Sequence, residues 1–262
     1  MSKFSNRRSG LSVDPHVTIE VLTTAALTPV LWNQIWSLTQ EFFDTDRAYA
    51  ESELKEYQST ALFWTRGDHK LIGTASIDVY PISHQNRRLV VIYTTHVLLR
   101  EEYRGHNLIQ RLGVRVFLKT WLQFPFRSIY WFFDTVSYKS YLLLPRNFRE
   151  FWPRLGQKTP DRERDLINRL ANKTYGDSWR PQLGIVARSG KKRLRPDVAP
   201  LNRNVPLTPE LRFFSTANPG HAEGDMLVCL CPLTFANWLS VGVSVLRRMR
   251  KPRNSLPPTQ IS

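Results

Sequence analysis

The chain has 262 residues, 42% of them hydrophobic, with 14 Phe and 8 Trp, enough to bury one large core. Its 37 Lys and Arg against 22 Asp and Glu give a formal charge of +15, which calls for anionic partners without choosing among nucleic acid, anionic lipid, an acidic carrier protein and a phosphorylated cofactor. No apolar run approaches the roughly 18 residues that span a bilayer, no early stretch has the form of a secretory leader, and Cys229 and Cys231 are too few for a zinc site; we expect a cytoplasmic protein without a metal, both thiols buried and unbridged.

Residues 1–12 are polar and basic and read as a disordered arm. In "VTIEVLT" (17–23), Val17, Ile19 and Val21 alternate as in a half-buried strand. Thr28 and Pro29 form a cap and first-turn pair ahead of Leu31, Ile35, Leu38 and Phe42, whose spacings of four, three and four predict a helix. "DRAYAESELKEYQSTA" reads as a second, more polar helix. "ALFWT" and "KLIGTASIDVY" are strands joined by the turn "RGDH", and "RRLVVIYTTHVLL" is a fourth strand. Ile109, Leu112 and Val116 predict a helix to about Trp121. "RSIYWFFDTVS" (127–137) is a strand covered on both faces, and Pro145 should stop or bend the helix begun by "SYKSYLLL".

From about 155 to 209 prolines, glycines and basic residues gather around one amphipathic helix, "PDRERDLINRLANKTY", and a basic loop, "RSGKKRLRPD". Too few apolar residues remain there for an independent core, so we read an insertion within a single domain made of 13–154 and 210–251. "ELRFFSTA" and "MLVCLCPL" read as the last two strands, joined by "NPGHAEGD". A helix "FANWLSVGVSVLRRMRK" and a flexible tail over 252–262 follow. The element order predicts an α/β fold with a mixed sheet and helices on its faces.

One stretch carries chemistry. In "EEYRGHNLIQRLG" (101–113) a turn leads straight into a helix, whose first N–H groups have no intrahelical acceptor and sit at the positive end of the macrodipole. Such a junction can hold a phosphate. Arg104 can add a charge-assisted fork, Gly105 lets the backbone turn closely, and Arg111 and Arg115 lie one and two turns further on. The plainer reading is a turn glycine beside solvated arginines.

Together with "IGTASI" on the third strand, "VLLREEYRG" and "SYKSYLLLPRNF", this element order resembles the GNAT superfamily of acyl-CoA-dependent N-acyltransferases over about residues 17–153 and 211–235. The resemblance implies a GNAT-like fold with an inserted helix and loop before the last two strands. It also implies that an Arg/Gln-x-x-Gly-x-Gly/Ala turn wraps the pyrophosphate of coenzyme A. That motif falls on Arg104, Asn107 and Ile109, so only the arginine is kept; the donor would be held by Arg104, Gly105, His106, Asn107, Leu108 and Ile109. An oxyanion donor is expected at a bulge on the fourth strand around Val97, Leu98 and Leu99. The family's tyrosine acid falls on Leu143, with Tyr141 nearby. Tyr141 reads more simply as packing.

An amine attacks a thioester only when neutral, so the site needs a base. His96, with an ordinary pKa near 6.5, and Glu101 or Glu102 are candidates. Tyr93 and Thr95 share the opposite face of the strand and can line an acceptor pocket. Asp134, alone in an apolar strand, must be paired, protonated or near the cleft. His221 and Glu223 can contact an amine or simply build a turn. The expected function is N-acyl transfer from acyl-CoA or an acidic acyl carrier protein to a small-molecule or peptide amine. The competing reading is a non-catalytic GNAT-like module that binds nucleic acid or an anionic membrane surface through basic patches, with no nucleic-acid motif to favour it.

Overall fold

The computed structural model describes residues 16–188, 190–199 and 208–241. The expected arm and tail, and all of the last helix beyond 241, lie outside the described residues. The chain divides into two compact units, one made of residues 1–79 and 94–125, the other of 80–93 and 126–262.

In the first unit, β1 (Val17–Thr23) precedes α1 (Pro29–Phe42), where Thr28 caps the helix by accepting from the Leu31 amide and Ile35, Leu38 and Phe42 turn inward. A short β2 (Phe43–Thr45) leads to α2 (Arg47–Lys55), capped by Asp46. β3 (Ser59–Thr65) pairs antiparallel with β1 from Ser59 opposite Thr23 to Thr65 opposite Val17. β4 (Leu71–His84) and β5 (Arg87–Leu99) run through both units, and α3 (Leu108–Gln123) ends the first. The sheet order within this unit is β1-β3-β4-β5.

The "RGDH" turn forms as expected, with Asp68 accepting from the Thr65 hydroxyl and Thr65 N–H donating to the Lys70 carbonyl. Gly73 on β4 is fixed by close approach. A Cβ there would stand 2.6 Å from the Leu98 carbonyl oxygen and 3.0 Å from Leu99 Cδ1.

The second unit holds the far ends of β4 and β5, joined by Gln85 and Asn86, both with positive φ, as a tight hairpin turn requires. Next come β6 (Ser128–Thr135), α4 (Tyr138–Tyr141), α5 (Leu143–Asn147), α6 (Asp161–Tyr175), β7 (Trp179–Arg180), β8 (Ile185–Val186), β9 (Lys192–Leu194), α7 (Pro209–Ala217) and β10 (Met226–Pro232). Its sheet order is β4-β5-β6-β10-β8-β7. The fold is mixed α/β, a large sheet with helices. Pro145 falls in the first turn of α5, where a missing N–H costs least, and the expected single helix is split into α4 and α5.

The segment "ELRFFSTA" is a helix, α7, and not the strand its two phenylalanines favour. Thr208 caps it by accepting from the Leu211 amide, Pro209 occupies the first turn, and Leu211 and Phe214 are buried three residues apart while Arg212 faces water. The described chain therefore closes on a helix, one strand, and helical residues 235–241.

The core of this unit gathers Phe133, Tyr138, Tyr141, Leu144, Phe151, Leu211, Phe214, Leu227 and the free thiols of Cys229 and Cys231. Tyr141 is 1% exposed, packs against Phe151, Phe213 and Phe214, and donates its hydroxyl to the Pro153 carbonyl at 3.2 Å. Burial pushes its phenol, and both thiols, well above their ordinary values. Among the described residues no helix is long and apolar enough to cross a membrane.

Two predictions follow from this packing. Gly73→Ala should lower stability by roughly 1–3 kcal/mol, because the new methyl group meets backbone. Gly113→Ala in α3, where nothing lies within 4 Å of the new carbon, should raise it by roughly 0.5–1 kcal/mol; urea melts of both variants measure the pair.

Above the ordinary range of tyrosine and cysteine the unfolded chain loses protons that the folded core retains. Stability is thus fully present at neutral pH and falls as pH rises through about 9 to 11. Tyr141→Phe should cost about 1 kcal/mol at pH 7 through its lost hydrogen bond, and should flatten that alkaline decline in melts taken across the range.

Candidate functional site

The first unit contains two unusual pieces of backbone on either side of the end of β5. His96 lies inside the strand with φ of 49°. A side chain at that dihedral crowds the following carbonyl, so the strand's alternation breaks there. The Thr74 hydroxyl of β4 lies 3.5 Å from the His96 carbonyl, and Arg100 N–H returns the chain to β4 at the Ile72 carbonyl. The irregularity sits one residue before the expected Val97 to Leu99. Val97 is exposed, whereas Leu98 and Leu99 are buried against the unit's core.

The turn at His96 carries its imidazole to α2. Nε2 lies 3.2 Å from Glu53 Oε2, and both side chains are largely buried. The second carboxylate oxygen of Glu53 accepts from the Tyr49 hydroxyl at 3.0 Å, and the Tyr57 ring meets the imidazole edge-on at 5.3 Å. A carboxylate can only accept, so Nε2 carries a proton; Nδ1 is buried. Sequence reasoning missed Glu53. Its signal is the spacing Tyr49, Glu53, Tyr57, four residues apart each time, which stacks three functional groups along one line of a helix and its exit.

Beyond β5, Glu101 to Tyr103 form a 3₁₀ turn with Glu101 and Glu102 exposed. Gly105 has φ of 90° and open space on the side a Cβ would occupy. Asn107 is left-handed at φ 55°, ψ 26°, and its side chain makes no capping hydrogen bond. α1, α2 and α7 each have a Thr or Asp cap. α3 begins without one, as do α5 and α6, so no Asn107 side chain caps its first N–H groups.

His106 is exposed, Leu108 is the residue turned to the core, and Ile109 is half-buried. Arg104 folds back toward the strand instead of extending over the turn. Its Nε donates to the Leu99 carbonyl at 3.0 Å, its guanidinium lies 5.9 Å from the Phe42 ring centre, and Nη1 is 3.7 Å from Glu101 Oε1. It braces the turn. Arg111 and Arg115 are exposed, and Arg115 donates to the Ile19 carbonyl.

In the second unit, Asp134 on β6 is paired. Its Oδ2 accepts from the hydroxyls of Tyr93 and Tyr175, each at 2.8 Å, and the two phenol oxygens are 3.0 Å apart. Tyr93 and Thr95 are both buried. Tyr175 is the last residue of α6, and nothing in its helix pattern marked it as a partner for a strand carboxylate.

Tyr141, a candidate acid by resemblance, is instead committed to the core and to the Pro153 carbonyl. In the 218–225 turn, His221 donates Nδ1–H to the Asn218 carbonyl and meets Phe214 edge-on, and Glu223 pairs with Arg193 at 2.6 Å. Both residues build and pin the turn. Among the described residues no cluster of three His, Cys, Asp or Glu is arranged to hold a metal ion.

No protein-family model matches the chain, and no curated protein matches it significantly. Solved structures similar to it include a conserved protein of Enterococcus faecalis described as a probable N-acyltransferase. It is 14% identical with a TM-score of 0.35, over 50% of this chain and 33% of that one, so the chain spans a third of its length. The GNAT family N-acetyltransferase YhbS of Escherichia coli, in complex with CoA, is 17% identical with a TM-score of 0.32, over 46% of this chain and 64% of its own. An acetyltransferase of Trypanosoma brucei is 17% identical with a TM-score of 0.36, over 55% of this chain and all of its own. The second is named for the superfamily that the sequence resembles. Each TM-score lies below 0.5, and these likenesses carry no argument about the site.

Proposed function

We propose that the chain is an N-acyltransferase that moves an acyl group from a coenzyme A thioester, or from an acyl carrier protein, to a small-molecule or peptide amine by direct attack. The observation that carries this reading is the uncapped, left-handed start of α3 following a strand whose backbone turns at His96, next to an imidazole oriented by Glu53. The donor's pyrophosphate would sit on the first N–H groups of α3, with Gly105 and Asn107 giving the close turn and Arg104 bracing it.

His96 is the proposed base. With Nε2–H held by Glu53, Nδ1 is the nitrogen proposed to receive the proton that the amine loses as its lone pair attacks the thioester carbonyl; because Nδ1 is buried in this structure, the scheme requires that the ring be uncovered or that a relay carry the proton to it. The C–N bond forms, the C–S bond breaks, and the thiolate leaves. An N–H at Val97 to Leu99, beside the kink, is the proposed oxyanion donor. Tyr141 has no part in this scheme, because burial and the Pro153 carbonyl occupy it.

A thermal-shift comparison tests donor binding. Coenzyme A should raise Tm, and inorganic pyrophosphate or an oligonucleotide of matched charge should raise it much less. Equal shifts from all three would reduce the site to unspecific electrostatics. His96→Asn keeps a residue that tolerates left-handed backbone and removes the base. It should lower thiol release from acetyl-CoA with a panel of amines by roughly 10²-fold or more while leaving the coenzyme A shift in place, and unchanged release would exclude His96 as the base.

A further inference from the structure

α3 is apolar on two opposite sides. Leu108, Leu112 and Thr120 face the core of the first unit. Val114, Leu118, Trp121 and Leu122 are 39%, 48%, 51% and 73% exposed. At about 100° per residue these four occupy one arc of roughly 100° on the side away from the buried residues. Arg111 falls within that arc between Leu118 and Leu122, Arg115 lies just beyond it and Lys119 further round toward the buried side; all three are exposed, and α3 has no acidic residue. Exposed apolar arcs of this size mark interaction surfaces, since a solvated helix face is ordinarily polar.

We infer that this outer face of α3 rests on an anionic membrane surface, with the apolar ridge in the headgroup region and Arg111, which lies within the ridge, on lipid phosphates or carboxylates; Arg115, beside it, is partly committed to the Ile19 carbonyl. Charge complementarity selects this occupant. Residues 1–15 carry Lys3, Arg7 and Arg8 against one carboxylate, Asp14, and residues 242–262 carry Arg247, Arg248, Arg250, Lys251 and Arg253 with no acidic residue, so the end segments match the sign of the helix's cations. A second copy placed about a two-fold axis would oppose the same cations to themselves. A mixed ridge of Trp and Leu with Arg within and beside it is the composition of a helix lying in an interface: the indole and the long basic stems put carbon in the acyl boundary and polar ends in the headgroups. At 16 residues α3 is about 24 Å long, enough to lie in the plane. The inference stands apart from the acyltransferase reading, because none of the ridge residues belongs to the proposed chemistry.

Co-sedimentation of the full chain with vesicles of phosphatidylcholine alone, and of phosphatidylcholine with phosphatidylserine, tests it. The wild-type chain should bind the second kind only. Leu118→Gln/Trp121→Gln, with every charge kept, should lose about ten-fold or more in partitioning, while its Tm and its coenzyme A shift stay as in wild type. Leu122→Gln, a single exposed change, replaces the pair if the double variant melts early. Binding of the apolar variants equal to wild type would assign membrane affinity to the net charge of +15 and overturn the inference. So would absence of vesicle binding, or self-association or capture by an acidic carrier protein that disappears with the same substitutions.

Discussion

The reversal of backbone hand at His96 is the constraint on which the rest of the first unit depends. A left-handed side-chain-bearing residue inside a strand costs roughly 1–2 kcal/mol against the extended form. Here the neighbouring contacts offset it: the imidazole reaches Glu53, Tyr57 closes over its edge, and Arg100 rejoins β4 at Ile72. The tight approach of Gly73 to Leu98 and Leu99 belongs to the same arrangement, since a strand that kinks toward its neighbour leaves no room for a Cβ. Strain of this kind persists where surrounding structure enforces it, which is the usual condition of a site.

α3 inherits its position from that strand end. Arg104 couples the two, donating to the carbonyl of Leu99 and stacking over Phe42, so the turn is held by a cation that resemblance alone would have assigned to phosphate. The helix then offers different chemistry in different directions: a left-handed start without a side-chain cap, a buried stripe toward the core, and an apolar ridge with Arg111 within it toward solvent. Side chains cap α1, α2, α4 and α7, whereas α3, α5 and α6 begin without one; α3 differs from the other two in the left-handed backbone of Asn107.

In the second unit, α6 is tied to the sheet along its length. Arg162 donates to the Tyr130 hydroxyl, Asp165 accepts from Gln85, Arg169 reaches the Ser83 carbonyl, Lys173 lies over Tyr80, and Tyr175 ends on Asp134. Its inner residues, Leu166, Ile167, Leu170 and Ala171, join the buried apolar set. A segment with too few apolar residues for its own core thus gains order by spending polar groups on its neighbours, and Asp134 gains the partners that a carboxylate on an apolar strand requires.

Periodicity by itself determined much of the first unit. Alternation marked β1, and the strand-forming run at 87–99 marked β5, at their observed bounds, and the Thr28–Pro29 pair marked the start of α1. The same pair recurs as Thr208–Pro209, yet Phe213 and Phe214 read as strand because the β-preference of aromatics is a preference for half-buried surface, which a helix packed on the core also supplies. The polar residues at the end of β5 and the turn before α3 were legible as residue types. Tertiary structure alone decided the pairings. Glu53 meets His96 from 43 residues away and Tyr175 meets Asp134 from 41, and no local pattern encodes an encounter between groups that distant in the chain. It also placed Tyr141 in the core and Arg104 against β5, because a side chain's partner depends on which surfaces the fold brings within a few ångströms of it.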